Sequence, residues 1–190
     1  MSLTSLLIVG GIALVPYIWY ASIISKRNKA LEALSTIDVQ MKMRFDLVPN
    51  ILKIARKFMD HEKALLTEIT ALREQADASY DHKDQAAVQE HLAAAEKLTS
   101  KMGQFMVQVE NYPDLKSDQT MIQAMQTYNE AEAQISAARR FYNSAVTSLN
   151  NAVQIFPGNL IGNMAGVAPM PFFEAPDAVR EPIDADKYLG

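Results

Sequence analysis

Cysteine is absent from the 190 residues, so disulfide frameworks, thiolate zinc sites and cysteine nucleophiles are excluded. Glycine and proline are scarce, seven and eight, and no glycine falls between Gly11 and Gly103. Long helices are therefore open to most of the chain. A positive excess is missing too: 18 Lys and Arg against 22 Asp and Glu leave a net charge of -4, which argues against a general nucleic-acid binder. Histidine is limited to His61, His82 and His91. His61-Glu62 opens like a zinc-protease motif, but Leu65 stands where the second histidine belongs. His82 and His91 are spaced wrongly to share a helix face as a ligand pair, and all three histidines read as solvated surface. There is no glycine-rich phosphate loop and no nucleophile elbow. The expectation is a protein that is not an enzyme, with no catalytic residue, no cofactor and no metal site.

Charge is also missing from the opening of the chain. All 40 charged side chains lie at or after Lys26, and Leu3 to Ile24 is a run of 22 residues without one. As a helix this run spans roughly 33 Å, close to the hydrocarbon thickness of a bilayer. Gly10, Gly11 and Pro16 weaken a soluble helix but are tolerated in a membrane one. Trp19 and Tyr20 fall where aromatic rings favour the headgroup region, and Lys26, Arg27 and Lys29 follow at once. These five are the lipid-contact candidates. The basic cluster also has the ordinary appearance of a topology signal, and it predicts a single-pass membrane protein with the N-terminus outside and the rest in the cytoplasm.

What is present after that is helical periodicity. Apolar side chains recur every three or four positions through Leu31, Leu34, Met41, Phe45, Val48, Leu52, Ala55, Met59, Leu66, Ile69 and Ala76. Asp38, Glu62 and Arg73 interrupt this seam, and Pro49 is expected to kink or divide the rod. The polar stretch 77–84 reads as a turn, with Asp81 or Asp84 as a candidate N-cap. A second seam runs from Val88 to Val109 and stops at Asn111-Tyr112-Pro113-Asp114. A third, capped by Ser117 or Asp118, runs Ile122, Met125, Tyr128, Glu132, Ile135, Ala138, Tyr142, Val146, Leu149, Val153. No useful strand-like alternation occurs. The predicted fold is all-α: a transmembrane anchor over 1–25, continuing into a long antiparallel three-helix bundle of coiled-coil type over 26–156, and an irregular tail over 157–190.

The tail holds five of the eight prolines and four of the seven glycines, and regular structure is expected to stop there. Yet Leu160, Ile161, Phe172 and Phe173 would each cost about 1.5–3 kcal/mol if left in water, so the tail is expected to pack on its own bundle, a neighbouring subunit or the membrane surface. From Glu174 the composition turns acidic, and that end reads as solvated.

The block Ile37-Asp38-Val39-Gln40-Met41-Lys42-Met43-Arg44-Phe45-Asp46-Leu47-Val48-Pro49-Asn50, following an N-terminal span, resembles the bacterial LemA family. So do the turn Tyr112-Pro113-Asp114-Leu115-Lys116, the run Ala137 to Val146 with Phe156-Pro157-Gly158-Asn159-Leu160-Ile161 after it, and Pro171-Phe172-Phe173-Glu174. The blocks stand in family order; the departure is Val167, where an aromatic usually follows the tail glycine. The resemblance implies a single-pass membrane protein with a helical cytoplasmic domain and no established activity. Among the shared residues, Asp38 or Asp46 is expected to pair with Arg139 or Arg140 across helices. Asp38, Arg44, Asp46, Pro49, Asn50, Arg139, Arg140, Tyr142, Leu160, Ile161, Phe172 and Phe173 are the structural or interaction candidates. The expected function is a membrane-anchored, self-associating scaffold that organises or remodels a membrane region. Its expected partners are membrane lipid and further copies of itself, with no nucleic acid. The alternative is an adaptor that recruits another envelope or signalling protein.

Overall fold

A computed structural model describes residues 3–173, with side chains from residue 14 onward. Among the described residues it is built from helices: α1 (Leu3–Ala55), α2 (Lys63–Ala76), α3 (Gln85–Val109), α4 (Pro113–Ser117), α5 (Gln119–Gln154) and α6 (Gly158–Met164). At 1.5 Å per residue the 53 residues of α1 make a rod of about 80 Å. Two starts are fixed by side chains predicted to do so. Asp84 accepts from the N–H groups of Ala86 and Ala87, and Asp118 from that of Met121.

The expected three long helices are four. The first seam is not one helix but two, because the chain reverses across 56–62 and α2 returns along α1. Lys42 Nζ bonds Asp77 at 2.9 Å and Arg73 Nε donates to the Phe45 carbonyl at 3.3 Å. α3 then runs back along α2, with Lys101 to Glu68 at 2.9 Å and Gln108 Nε2 to Glu62 at 2.7 Å. α5 is antiparallel to α1: Arg44 pairs with Glu132, and Lys29 Nζ lies 5.8 Å from the Phe141 ring centre. The reversal is hard to see in sequence because both arms present apolar faces to one core, so the spacing reads straight through it. Met59 is buried at the corner, and the N–H groups of Phe58 and Met59 both reach the Ala55 carbonyl.

Pro49 does not divide α1. It has no N–H, so the Phe45 carbonyl one turn earlier loses its helical donor. Arg73 of α2 supplies the replacement. The proline thus frees an acceptor through which the second helix is pinned to the first.

Regular structure does not stop at Pro157 either. α6 packs on α5 and α1 because its glycines allow contact. A Cβ on Gly158 would lie 1.9 Å from the Ala152 carbonyl oxygen, and one on Gly162 would lie 3.2 Å from a Val153 methyl. Beyond α6 the tail closes on its own helices. Val167, Met170 and Phe173 are buried, while Ala168, Pro169 and Phe172 are exposed. Leu160 (56% exposed) and Phe172 (48%) are not covered by their own chain, whereas Phe173 is buried and Ile161 half-buried.

Among the described residues no helix is long and apolar enough to cross a membrane. Of the 22-residue uncharged run, the side chains of residues 14–24 are described. The acidic end from Glu174 lies outside the described residues.

Candidate functional site

Three groupings of polar or exposed apolar side chains stand out from the core. The first lies at the free end of α1. Leu14, Val15, Tyr17, Ile18 and Tyr20 are exposed in a continuous stretch. α6 sits beside them, with Gly158 against Trp19; the turn leading into it adds exposed Ile155 and Phe156 (74%), and α6 itself adds Leu160 and Met164 (90%). Ile161 is half-buried behind them. Immediately along α1, Lys26 bonds Ser22 at 2.8 Å, Arg27 borders the tail, and Lys29 lies over Phe141. Single exposed apolar residues need no explanation, but nine at one end of a rod do.

The second grouping centres on Asp38. Tyr80 Oη donates to both carboxylate oxygens at 2.9 and 3.0 Å, and His82 Nε2 is 2.9 Å from Oδ2. His91 Nε2 is 3.6 Å from Oδ1 and makes no hydrogen bond, with its side chain only 9% exposed. Tyr80 stacks on His91 with ring centres 4.0 Å apart and tilts over His82 at 4.7 Å. Burial, then the charge and hydrogen bond of Asp38, push the Tyr80 hydroxyl well above its ordinary pKa. This hub joins α1, the 77–84 turn and α3. It corrects two expectations. His91 is not solvated surface, and Asp38 does not pair with an arginine. Neither does Asp46 pair with Arg139 or Arg140; it bonds Lys42 at 3.0 Å and lies 3.5 Å from Arg73. Pro49 and Asn50 are exposed on the same helix. Among the described residues no group of three His, Asp or Glu is placed to hold a metal ion.

The third grouping lies on α5. Arg44, only 1% exposed, reaches across to Glu132, so the buried inter-helix pair exists but with other partners than the sequence suggests. Tyr128 beside it is pushed up to about 12, chiefly by burial and against the pull of Arg44. Higher on α5, two asparagines grip the tail backbone. Asn150 accepts from the Met170 N–H at 2.8 Å and donates to its carbonyl at 2.9 Å. Asn143 does the same to Phe173, at 2.9 Å in both directions. Between them Tyr142 Oη donates to the Pro171 carbonyl at 2.7 Å. Arg139 covers the Phe173 ring at 4.1 Å, and burial holds its guanidinium below the usual range, against the charges of Glu132 and Glu96. Arg140 is exposed.

By its spacing Tyr142 belongs to the third seam, whereas neither Asn143 nor Asn150 is part of it. The signal was there: two amides seven residues apart share one helix face, with a proline-rich segment following that cannot make its own ladder. A family model for the LemA family matches residues 33–186. The chain belongs to the LemA family. No curated protein matches it. The LemA match begins past the uncharged opening and takes in all four long helices from within α1, the Asp38 hub and the tail clasps. Membership therefore bears on the bundle and its tail, while the role of the opening has to be argued from its own chemistry.

Proposed function

We propose that this LemA family chain is a membrane-anchored helical scaffold that self-associates and organises or remodels a bacterial membrane region. The observation that carries the reading is the apolar end. The uncharged run continues without a break into the rod of α1, and α6, which meets Trp19 at Gly158, brings exposed Leu160 and Met164, with Ile155 and Phe156 in the turn before it, to the same end. Aromatic and apolar side chains level with one another, next to Lys26, Arg27 and Lys29, suit a bilayer surface: rings in the headgroup region, bases against anionic lipid at about 1 kcal/mol each. The domain beyond stands in the cytoplasm in this reading. Because anchor and bundle share one helix, side-by-side packing of copies orients their anchors together, and repeated homo-contacts are the default for such assemblies.

An adaptor is the second reading. It draws on the groove of about 440 Å³ between α1 and the start of α5, bordered by Leu47, Ile54 and Ala124, which is broad enough for apolar side chains of a partner helix. Purified full-length protein reconstituted in lipid and imaged separates the two. The scaffold gives large, repeating assemblies and, in cells, mostly self-crosslinks. Strictly monomeric particles with one dominant foreign crosslink would replace it with the adaptor.

A further inference from the structure

The Arg44–Glu132 pair sets the level of α1 against α5. The two helices are antiparallel and rise equally per residue, so Asn50 stands level with Gln126 and Ile54 with Ile122. Two apolar surfaces have no partner among the described residues, and both lie at this height. The first is a groove of about 620 Å³ between α3 and α5, walled by Met106, Val109, Met121, Ile122 and Met125 and reaching as far as Ala133. The second is the outer face of α1. Val39, Met43, Leu47, Asn50, Ile54 and Lys57 recur there every three or four residues and fall on one side of the helix. Val39 and Met43 are 56% and 57% exposed, and Leu47 is half-buried.

The two surfaces match in length, chemistry and charge. The groove follows α5 over residues 121–133, about 18 Å, and the stretch of α1 level with it runs from Met43 to Ala55. Methionine walls adapt to side chains of differing shape, and a helix face with anchors at this spacing is what such grooves take up. The groove's rim carries Glu110 and Glu130 against Lys116 alone. The α1 face ends in Lys53 and Lys57, which are exposed and make no ion pair among the described residues. Asp46, the only carboxylate between Val39 and Lys57, is held by Lys42 and Arg73. Pairing α1 with α1 of another copy would set Lys53 and Lys57 against their own charge, whereas the groove offers them carboxylates.

We infer that the outer face of α1 docks into the α3–α5 groove of a second copy of this chain standing parallel to it in the same membrane. Met43 and Leu47 enter among the methionines, Asn50 meets Gln126, and Lys53 and Lys57 lie along the acidic rim. Copies anchored through the same opening of α1 present the two surfaces at one height, so neither has to shift along the bilayer normal. The inference rests on the self-associating reading and names the surfaces through which it acts.

The absence of cysteine makes the test clean. Full-length Asn50→Cys/Gln126→Cys protein is reconstituted in vesicles and oxidised beside each single variant. Docking predicts disulfides between chains that form at least tenfold faster in the double variant than in either single one. Equally fast dimers of Asn50→Cys alone overturn it, because α1 then meets α1. A disulfide confined to one chain overturns it too. Charge reversal gives a second readout, with folding checked by circular dichroism. Lys53→Glu/Lys57→Glu and Glu110→Lys/Glu130→Lys each raise the concentration for half-assembly at least tenfold, and mixing the two folded variants restores assembly because opposite charges face each other again. A parent chain that assembles without 50/126 disulfides between chains, whether a foreign helix or the chain's own acidic end fills the groove, refutes the inference and leaves self-association standing. A parent chain that stays monomeric in vesicles refutes both.

Discussion

Removing the two asparagine clasps releases the tail and leaves the four long helices standing. Docking of residues 167–173 buries Val167, Met170 and Phe173, each worth about 1.5–3 kcal/mol, or about 7 together. Ordering seven residues costs about 1–2 kcal/mol each, or about 10 in all. Apolar burial alone therefore falls short by a few kcal/mol. The four asparagine bonds and the Tyr142 bond, at about 1 kcal/mol net apiece, bring the sum slightly above zero. Each asparagine contributes about 2 kcal/mol, close to the whole net, so Asn143→Ala or Asn150→Ala lowers hydrogen-exchange protection of residues 167–173 about tenfold and leaves the tail about half docked. The double variant leaves the segment exchanging as free chain. Asn143→Asp is the sharper single change, since it keeps the acceptor for the Phe173 N–H and sets a second acceptor against the Phe173 carbonyl. Peptide-resolved exchange by mass spectrometry reads the tail, and circular dichroism reads the bundle. Unchanged tail protection in the double variant refutes the argument. So does loss of helix in step with the tail, because the clasp would then be part of the core.

Two further perturbations test the interior. Arg44→Ala removes a fully buried side chain, leaves a half-buried carboxylate without its partner and destabilises the bundle by about 3 kcal/mol, whereas Arg44→Met with Glu132→Leu recovers most of it; thermal melts that rank the double variant below the single one contradict this. Raising pH probes Tyr80, Tyr128 and Tyr142, whose hydroxyls burial holds above the ordinary value near 10. The unfolded chain gives up those protons first, so their contribution to stability is whole below about pH 10 and, for Tyr128, gone by about pH 12. Absorbance near 295 nm should show Tyr80, Tyr128 and Tyr142 ionising only as helix is lost; these three titrating near pH 10 in a folded protein would refute it.

The helical class, both side-chain caps and nearly every core position of the second and third seams were legible because they depend on local spacing. Val88, Leu92, Ala95, Leu98, Met102, Phe105 and Val109 are all buried as their periodicity requires. The reversal at 56–62 was not, since neither proline nor glycine marks it and the one nearby proline, Pro49, sits inside a helix that continues past it. Partners of buried charges were also out of reach. Periodicity places Arg44, Asp38 and Arg139 on helix faces, but which face meets which depends on how the chain folds back. A reader expecting one rod pairs Asp38 with the wrong helix. The tail shows the opposite case: its period of three and the period of seven on α5 are both in the sequence, and only their juxtaposition shows that one is made to hold the other.

Trp19 is the single tryptophan, and it stands where α6 meets the uncharged opening of α1. Its fluorescence in full-length protein mixed with vesicles carrying lipids brominated at different depths tests the proposed anchoring most directly. The account predicts co-flotation with the vesicles, resistance to high salt, and strongest quenching of Trp19 by bromine near the headgroups. Protein that stays behind as a soluble species, with Trp19 untouched by bromine at any depth, would contradict it.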